Sequence, residues 1–167
     1  MDSTIREYEP GDLDACRDLW RQLTEHHRDI YANPGIGGPD PGVHFDAYLE
    51  NPKLTGPWVA ERDGVVVGLT GLLLGNGEAE IEPVVVDAVH RAQGIGRSLL
   101  NRALDEARRR GVKSVSIRPV ARNASAIRHF FEAGFTLLGH LDMFQTLEPS
   151  TQEWQPGIEI HGHEFRF

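Results

Sequence analysis

The chain has a single cysteine and fewer basic than acidic residues, and each shortage excludes a class of protein. Cys16 is the only cysteine among 167 residues, so an internal disulfide and a cysteine-rich structural zinc site are both excluded. Seventeen Lys and Arg against 25 Asp and Glu give a formal net charge of −8. Non-specific nucleic-acid binding and a membrane-surface role both need positive charge, so the sequence predicts neither kind of partner.

Long hydrophobic runs are also missing. The longest mostly apolar stretch, residues 65–74, is interrupted by Gly68, Thr70 and Gly71 and falls far short of the about 20 residues that span a bilayer. Residues 1–4 lack a basic start followed by an apolar segment, so no secretory signal is predicted. We therefore expect a cytoplasmic protein. The length fits one domain, 1–167.

Hydrophobic periodicity and turn signals predict a mixed α/β sheet. The Asp-Gly pair at 63–64 indicates an antiparallel hairpin, and the strand-helix-strand order over 80–118 indicates a right-handed crossover between parallel strands. Asp12 is the predicted cap of the first helix, and Gly111 the residue that ends the third. We predict helices at 12–28, 45–50, 95–110 and 124–133, and strands at 4–7, 57–61, 65–74, 80–87, 113–118, 135–146 and 155–167.

Residues 33–42 hold three prolines and four glycines and therefore cannot form regular structure. A loop of this kind on a compact domain is either a functional lid or a plain connection.

A strand that leads into Gly94-x-Gly96 at the start of a helix is the most informative motif. The first amides of a helix have no helical acceptor, and the helix dipole is positive there. Glycines let a phosphate approach the backbone, so the motif predicts an anion site that fits a pyrophosphate. The motif is not the dinucleotide-binding fingerprint, because Leu99 stands where that fingerprint has its third glycine. The alternative is a tight strand-to-helix turn without a ligand.

The wider pattern resembles the GNAT superfamily of acetyl-coenzyme A-dependent N-acetyltransferases. It consists of Arg91-x-x-Gly94-x-Gly96 after a hydrophobic strand, then Asn123-x-x-Ala126 and Gly134-Phe135, and it covers residues 65–147. The resemblance implies acetyl-CoA as cofactor and a GNAT-like twisted sheet: an antiparallel N-terminal meander, a central parallel β-α-β cofactor unit and helices on both faces. It places the cofactor-binding core at about 80–135 and a strand extension at about 155–167. The resemblance alone also suggests a homodimer.

The resemblance also assigns cofactor-binding roles. The splayed strand would bind the pantetheine arm through its backbone, and the Val84 N–H would polarise the thioester carbonyl. Asn123 would contact the cofactor or, as an alternative, cap the helix that follows it. The pyrophosphate would lie on the loop after the strand, chiefly on the amides of Gln93, Gly94 and Gly96. The full cofactor-binding set is Val84, Val85, Val86, Arg91, Ala92, Gln93, Gly94, Ile95, Gly96, Arg97 and Asn123.

Glu80 and Glu82 are the candidate bases that would deprotonate an acceptor amine. They are two residues apart on one strand, so both side chains are expected on the same face. Glu80 falls where several GNAT enzymes carry a glutamate base. Two neighbouring carboxylates raise the pKa of one of them. The alternative is a pair of solvated surface charges, and the sequence does not choose between the two glutamates.

The family's frequent general acid, a tyrosine seven residues after the asparagine, is absent. Phe130 occupies that position and has no proton to donate. His129 and Ser125 are polar neighbours that could replace it, or water protonates the leaving thiolate.

Two groups of polar residues have weaker signals. His26, His27, Asp29 and Tyr31 precede the Gly/Pro loop and could line an acceptor site. His161 and His163 alternate in the tail as metal ligands would, but strand alternation explains them equally well. No metal is expected.

The expected function is transfer of an acetyl group to a primary amine by direct attack in a ternary complex. Residues 91–128 carry ten basic and two acidic side chains, a local charge of +8 against −16 elsewhere. The acidic part predicts a small cationic amine as substrate, unless the acids merely solubilise the surface. The alternatives are acetylation of protein lysines or N-termini, and a non-catalytic acyl-CoA-binding sensor.

Overall fold

The computed structural model describes residues 3–147 and 153–167. The strands are β1 (Thr4–Glu7), β2 (Leu54–Arg62), β3 (Val65–Leu74), β4 (Glu78–Val86), β5 (Ser114–Ser116), β6 (Pro156–Ile160) and β7 (His163–Arg166). The helices are α1 (Leu13–Tyr31), α2 (His44–Leu49), α3 (Ile95–Arg109) and α4 (Ala124–Glu132).

β1 to β5 form one sheet in chain order. The first three pairings are antiparallel, and β4 pairs with β5 in parallel. The predicted hairpin turn is present, with positive φ at both Asp63 (53°) and Gly64 (77°), as a two-residue turn of this kind requires. The mixed sheet with its crossover confirms the predicted fold class.

Helices cover both faces of this sheet. On one face, α1 and α2 bury residues such as Cys16, Leu19 and Phe45 against the sheet residues Val59 and Leu69. On the other face, α3 and α4 pack against strands β2 to β4, where the buried side chains are Trp58, Leu72, Ala79, Ile81, Leu100, Ala103, Ala107 and Phe130. The buried residues of α3 recur at helical spacing and form one apolar face: Ile95, Leu99, Leu100, Ala103 and Ala107.

The strand predicted at 135–146 is wrong. This segment has no regular secondary structure, and Leu137 and Leu138 are 93% and 85% exposed. A strand needs a neighbour that takes its backbone hydrogen bonds, and β5, the nearest strand in sequence, is only three residues long. The segment is rich in apolar residues, but β5 is too short to pair with it as a neighbouring strand.

The predicted single strand at 155–167 is instead a hairpin of β6 and β7. His161 (φ 52°) and Gly162 (φ 79°) form its turn. The sequence gives only a weak signal for this turn, because His161 stands where Asn or Asp usually precedes such a glycine.

Asp12 does not cap α1 through its side chain, which corrects the predicted role. Its carboxylate accepts from the Arg6 guanidinium at 2.7 and 2.9 Å and from the Glu9 N–H at 2.8 Å. Gly111 does follow α3 as predicted, with φ of 69°.

The loop 33–42 lies against α1. The Arg28 Nε donates to the Ile36 carbonyl at 2.8 Å, and the Arg21 Nε donates to Asp40 at 3.1 Å. These contacts are consistent with a loop that is a plain connection between two elements. Within the described residues, no helix combines the length and the apolar character needed to cross a membrane.

Candidate active site

A β-bulge divides β4 into two halves. Thr70 of β3 faces Val84, and Leu72 faces Ile81, so Gly71 alone lies opposite the two residues Glu82 and Pro83. An extra residue of this kind turns every following side chain to the other face. Accordingly, Ala79 and Ile81 before the bulge pack on the α3 side, whereas Val85 after it packs on the α1 side.

Two buried hydroxyl groups hold the bulge in place. The Tyr48 hydroxyl donates to the Glu82 carbonyl, and the Thr70 hydroxyl donates to the Pro83 carbonyl at 2.8 Å. Gly71 makes room for this arrangement, because a Cβ there would collide with the Tyr48 hydroxyl. Burial raises the pKa of Tyr48, with the charge of Glu82 as a second cause, so Tyr48 acts as a neutral donor.

Beyond the bulge, β4 loses its neighbour on one side. The parallel pairing with β5 covers Glu78 to Glu80 and stops there. The Asp87 N–H donates to a β3 carbonyl at 2.9 Å, and facing groups alternate along an antiparallel pair. The backbone groups of Val84 and Val86 therefore point away from β3, into the gap beside β4. In agreement, the Arg91 Nε donates to the Val86 carbonyl at 3.1 Å.

The loop after β4 exposes its backbone at the start of α3. Ala92 (φ 58°) and Gly94 (φ 84°) both have left-handed backbone conformations, and residues 91–94 are exposed. The first helical bond runs from Ser98 N–H to the Gly94 carbonyl at 3.0 Å, so the amides at 95–97 have no helical acceptor. The loop therefore has the exposed, unpaired amides that the predicted anion site needs.

The side chains of that loop mostly serve the structure. Ile95 is buried in the core, Arg97 donates to the Glu132 carbonyl at 3.0 Å, and the Gln93 amide accepts from Arg62. The site therefore offers an anion backbone amides rather than side chains. A Cβ at Gly96 would stand 3.4 Å from the His129 Nε2, so α4 lies beside the start of α3.

The residues predicted on α4 have mainly structural contacts. The Asn123 side chain accepts from the Ala126 N–H at 3.1 Å, which makes it the helix cap, and the Ser125 hydroxyl donates to Asn123 at 3.0 Å. Phe130 is buried and packs edge-on against Phe135, with ring centroids 6.3 Å apart. The usual acid position is therefore part of the core.

The two glutamates have different surroundings. Arg118 Nη1 lies 3.2 Å from the Glu80 carboxylate, whose side chain is 19% exposed. Glu82 lies in the bulge and keeps solvent contact. Partial burial raises the pKa of Glu82; the nearby charge of Glu80 raises it further, and Arg118 opposes the shift. Burial and the charge of Glu80 thus favour the protonated form of Glu82, which suits a group that accepts a proton.

The sequence did not single out Arg118. The register that pairs Glu80 with Ser116 would place Arg118 opposite Glu82 if the pairing continued. Arg118 therefore lies where β4 and β5 part, and its side chain is 71% exposed. The signal that could have found it is its position two residues beyond the second strand of the crossover.

A cavity of about 350 Å³ lies at the end of α1. Tyr31, one of the predicted acceptor-site residues, lines it, and the Arg122 guanidinium covers the Tyr31 ring at 4.8 Å. His26 and His27 are neighbours on α1, with rings 6.4 Å apart, and burial lowers the pKa of His27. The lining consists of Tyr31, Ala121, Asp142, Phe144, Thr146, Trp154, Arg166 and Phe167.

The histidine tail does not gather ligands. His161 lies in the β6–β7 turn, and His163 begins β7 opposite Ile160. Among residues 3–147 and 153–167, no three His, Cys, Asp or Glu side chains form a group that could hold a metal ion.

The model of the acetyltransferase (GNAT) family matches residues 15–135. The chain belongs to this family. It is an acetyl-CoA-dependent N-acetyltransferase, and its match contains the bulge, the gap beside β4 and the anion loop. These features fit the cofactor, because outward-facing backbone groups of Val84 and Val86 suit an extended arm and the amides at 95–97 suit its phosphates.

Individual GNAT proteins resemble the chain over part or most of its length. The L-methionine sulfoximine/L-methionine sulfone acetyltransferase of Salmonella typhimurium is 29% identical over 146 residues, covering 83% of this chain and 82% of that protein. The [ribosomal protein bS18]-alanine N-acetyltransferase of Escherichia coli is 38% identical over 58 residues, covering 35% and 39% of the two chains. The crystal structure of a GNAT-family acetyltransferase from Staphylococcus aureus has a TM-score of 0.70 at 18% identity, covering 91% of this chain and 95% of its own.

Proposed function

We propose that this GNAT enzyme transfers the acetyl group directly to the primary amine of a small molecule while both substrates are bound, and that Glu82 is the base. The bulge carries this proposal. It sets the Glu82 side chain two residues before Val84, whose N–H points into the gap beside β4. A proton acceptor and an oxyanion donor thus lie on one short segment, as acyl transfer to an amine requires.

The chemistry balances with the groups in this segment. The amine nitrogen bonds to the carbonyl carbon, the carbon–sulfur bond breaks, and the amine proton passes to Glu82, directly or through one water. The sulfur leaves as a thiolate. An ordinary thiol has a pKa of about 8.5, so a thiolate can leave near neutral pH without a donor at the Phe130 position. In this scheme Glu80 and Arg118 form an ion pair at the start of the gap, where the pairing of β4 and β5 ends.

Initial rates test the direct transfer. CoA release, followed with a thiol reagent while acetyl-CoA and an amine are varied together, should give intersecting reciprocal plots. Parallel plots would indicate an acetylated enzyme and contradict a ternary complex.

Two classes of acceptor are supported by different observations. The charge of −16 outside residues 91–128 favours a small cationic amine through long-range attraction. That version predicts a preference for polyamines over neutral amines and a rate that weakens with salt. The relatives that act on L-methionine sulfoximine and on an alanine of bS18 favour an α-amino group instead. The homodimer and the cytoplasmic location stay predictions from the sequence.

A further inference from the structure

The guanidinium of Arg118 acts on the carboxylates of both Glu80 and Glu82, near the point where the pairing of β4 and β5 ends. Arg118 contacts Glu80 through Nη1 at 3.2 Å, and its charge also acts on Glu82. The parallel register ends at Glu80 and Ser116, and its continuation would bring Arg118 across from Glu82.

Arg118 has donors left for a ligand. By contrast, Arg6 bonds through Nε to Glu61 at 2.7 Å and through both other nitrogens to Asp12, and its side chain is only 29% exposed. Among residues 3–147 and 153–167, Arg118 pairs with the carboxylate of Glu80 alone, and its side chain is 71% exposed. A guanidinium carries five N–H donors in a planar fork that suits carboxylates, so most of the Arg118 fork faces solvent beside the proposed base.

We infer that the acceptor is a free α-amino acid, whose carboxylate binds Arg118 while its amine lies at Glu82. This inference rests on the proposed function. An α-amino acid carries its amine and its carboxylate on one carbon, so one small molecule can offer its amine to Glu82 and its carboxylate to Arg118, whose charge acts on Glu82. A polyamine offers Arg118 only like charge.

The same pairing helps the amine to lose its proton. In a free amino acid, the carboxylate stabilises the neighbouring ammonium. Binding that carboxylate to Arg118 cancels the stabilisation and adds a positive charge nearby, so both effects lower the pKa of the amine. Arg118 thus acts on the reacting nitrogen as well as on the orientation of the substrate.

The loop that carries Arg118 also borders a place for an uncharged side chain. Ala121 lines the 350 Å³ cavity and lies three residues after Arg118, which limits the Cα separation to about 11 Å. Tyr31, Phe144 and Trp154 supply aromatic surface there. A substrate held by its carboxylate on Arg118 can therefore direct an apolar or neutral polar side chain toward these rings.

The test compares three acceptors that differ only at the carboxylate: L-methionine sulfone, its carboxamide, and 3-(methylsulfonyl)propylamine, which lacks the carboxylate. We expect kcat/KM for the acid to exceed the other two by at least about tenfold. Arg118→Gln should lower the value for the acid by at least about tenfold more than it lowers the value for the carboxylate-free amine. Arg118→Lys, which keeps the charge and loses the fork, should fall between.

Arg108→Gln is the matched control. Arg108 is 70% exposed and pairs with Asp105 at 2.6 Å at the far end of α3, so its loss should leave the three rates unchanged. Equal rates for the three acceptors, or an equal loss for all three in Arg118→Gln, would overturn the inference while leaving acetyl transfer intact. A preference for peptides with a free N-terminus over the amino acid would also overturn it. No CoA release with any amine, despite measurable CoA binding, would instead overturn the proposed function itself.

Discussion

The two halves of β4 differ in what surrounds them. Before the bulge, Glu78 to Glu80 have a strand on each side, and Ala79 and Ile81 are buried against α3. After the bulge, Val84 to Val86 pair with β3 and, among the described residues, with no second strand. The backbone groups of Val84 and Val86 face a gap. One strand therefore supplies both a closed part of the sheet and an open edge for ligands.

The difference teaches where function can reside in a sheet. A strand that is paired on both sides has used its backbone donors and acceptors, so its backbone offers a substrate no hydrogen bonds. An edge that is left unpaired inside a protein invites another extended chain, and here the cofactor's arm has that shape. The bulge, held by Tyr48 and Thr70, separates the two uses.

Replacing Glu82 should have the largest effect. Glu82→Gln removes the proposed base and keeps the size of the side chain, so kcat/KM should fall by about 10² to 10⁴-fold. Because a base works only when unprotonated, the wild-type rate should fall as the pH drops through the pKa of Glu82, which burial and Glu80 hold above its usual range. The variant should lack this acidic limb. Initial rates over a pH series measure both effects.

Glu80→Gln is the control in the part of β4 that has a strand on each side. It should cost less than about tenfold in rate, and it should move the acidic limb to lower pH, because it removes the negative charge that raises the pKa of Glu82. A larger loss in Glu80→Gln than in Glu82→Gln would exchange the roles of the two glutamates.

The next largest effect concerns the anion loop. Gly94→Ala places a Cβ on a residue with φ of 84°, which costs about 1–2 kcal/mol of stability, and the distorted amides should weaken CoA binding by about tenfold or more. Gly111→Ala, at the other end of α3, has φ of 69° and open space around it. It should cost a similar amount of stability and leave CoA binding unchanged. Thermal unfolding and calorimetric titration with CoA separate the two; weakened binding in Gly111→Ala would show that the loss is global.

Loosening the bulge should have a moderate effect. Tyr48→Phe and Thr70→Val each leave a buried carbonyl without its donor, at a cost of about 1–3 kcal/mol. Because the bulge aims Glu82 and Val84, kcat should fall several-fold at temperatures where the variants are fully folded, while CoA affinity stays close to wild type. Urea unfolding and initial rates provide the measurements. A loss of stability with unchanged kcat would mean that the hydroxyls support the core alone.

The smallest effect should come from Asn123. Removing a helix cap costs about 1 kcal/mol, so Asn123→Ala should lower stability by that amount, and Asn123→Asp should restore it. If capping is the whole role of Asn123, CoA affinity should stay within about twofold in both variants. A lower CoA affinity for Asn123→Asp, which keeps the cap, would indicate that Asn123 also contacts the cofactor, as the family resemblance implies.

Local signals in the sequence predicted the crossover unit and the anion loop. The Gly94-x-Gly96 motif and the apolar stripe of α3 require only neighbours along the chain. The bulge depends on counting residues across two strands, which one strand cannot show. Pro83 was its one visible signal, because a proline inside a strand is confined to edges and bulges. Tyr48 reaches the bulge from 34 residues away, and no local pattern announces such a contact.

The failed strand at 135–146 has the opposite cause. The segment is rich in apolar residues, but a strand forms only where a neighbouring strand accepts its backbone hydrogen bonds, and β5 is three residues long. The choice between Glu80 and Glu82 likewise needed Arg118, whose position follows from where the parallel pairing stops.

Amide hydrogen exchange at Val84 and Val85, with and without CoA, tests the central claim most directly. In the free protein, the Val84 N–H, which faces the gap, should exchange much faster than the Val85 N–H, which faces β3. CoA should slow exchange at Val84 and leave Val85 unchanged. Equal protection of the two amides before CoA is added, or no change at Val84 afterwards, would contradict the account.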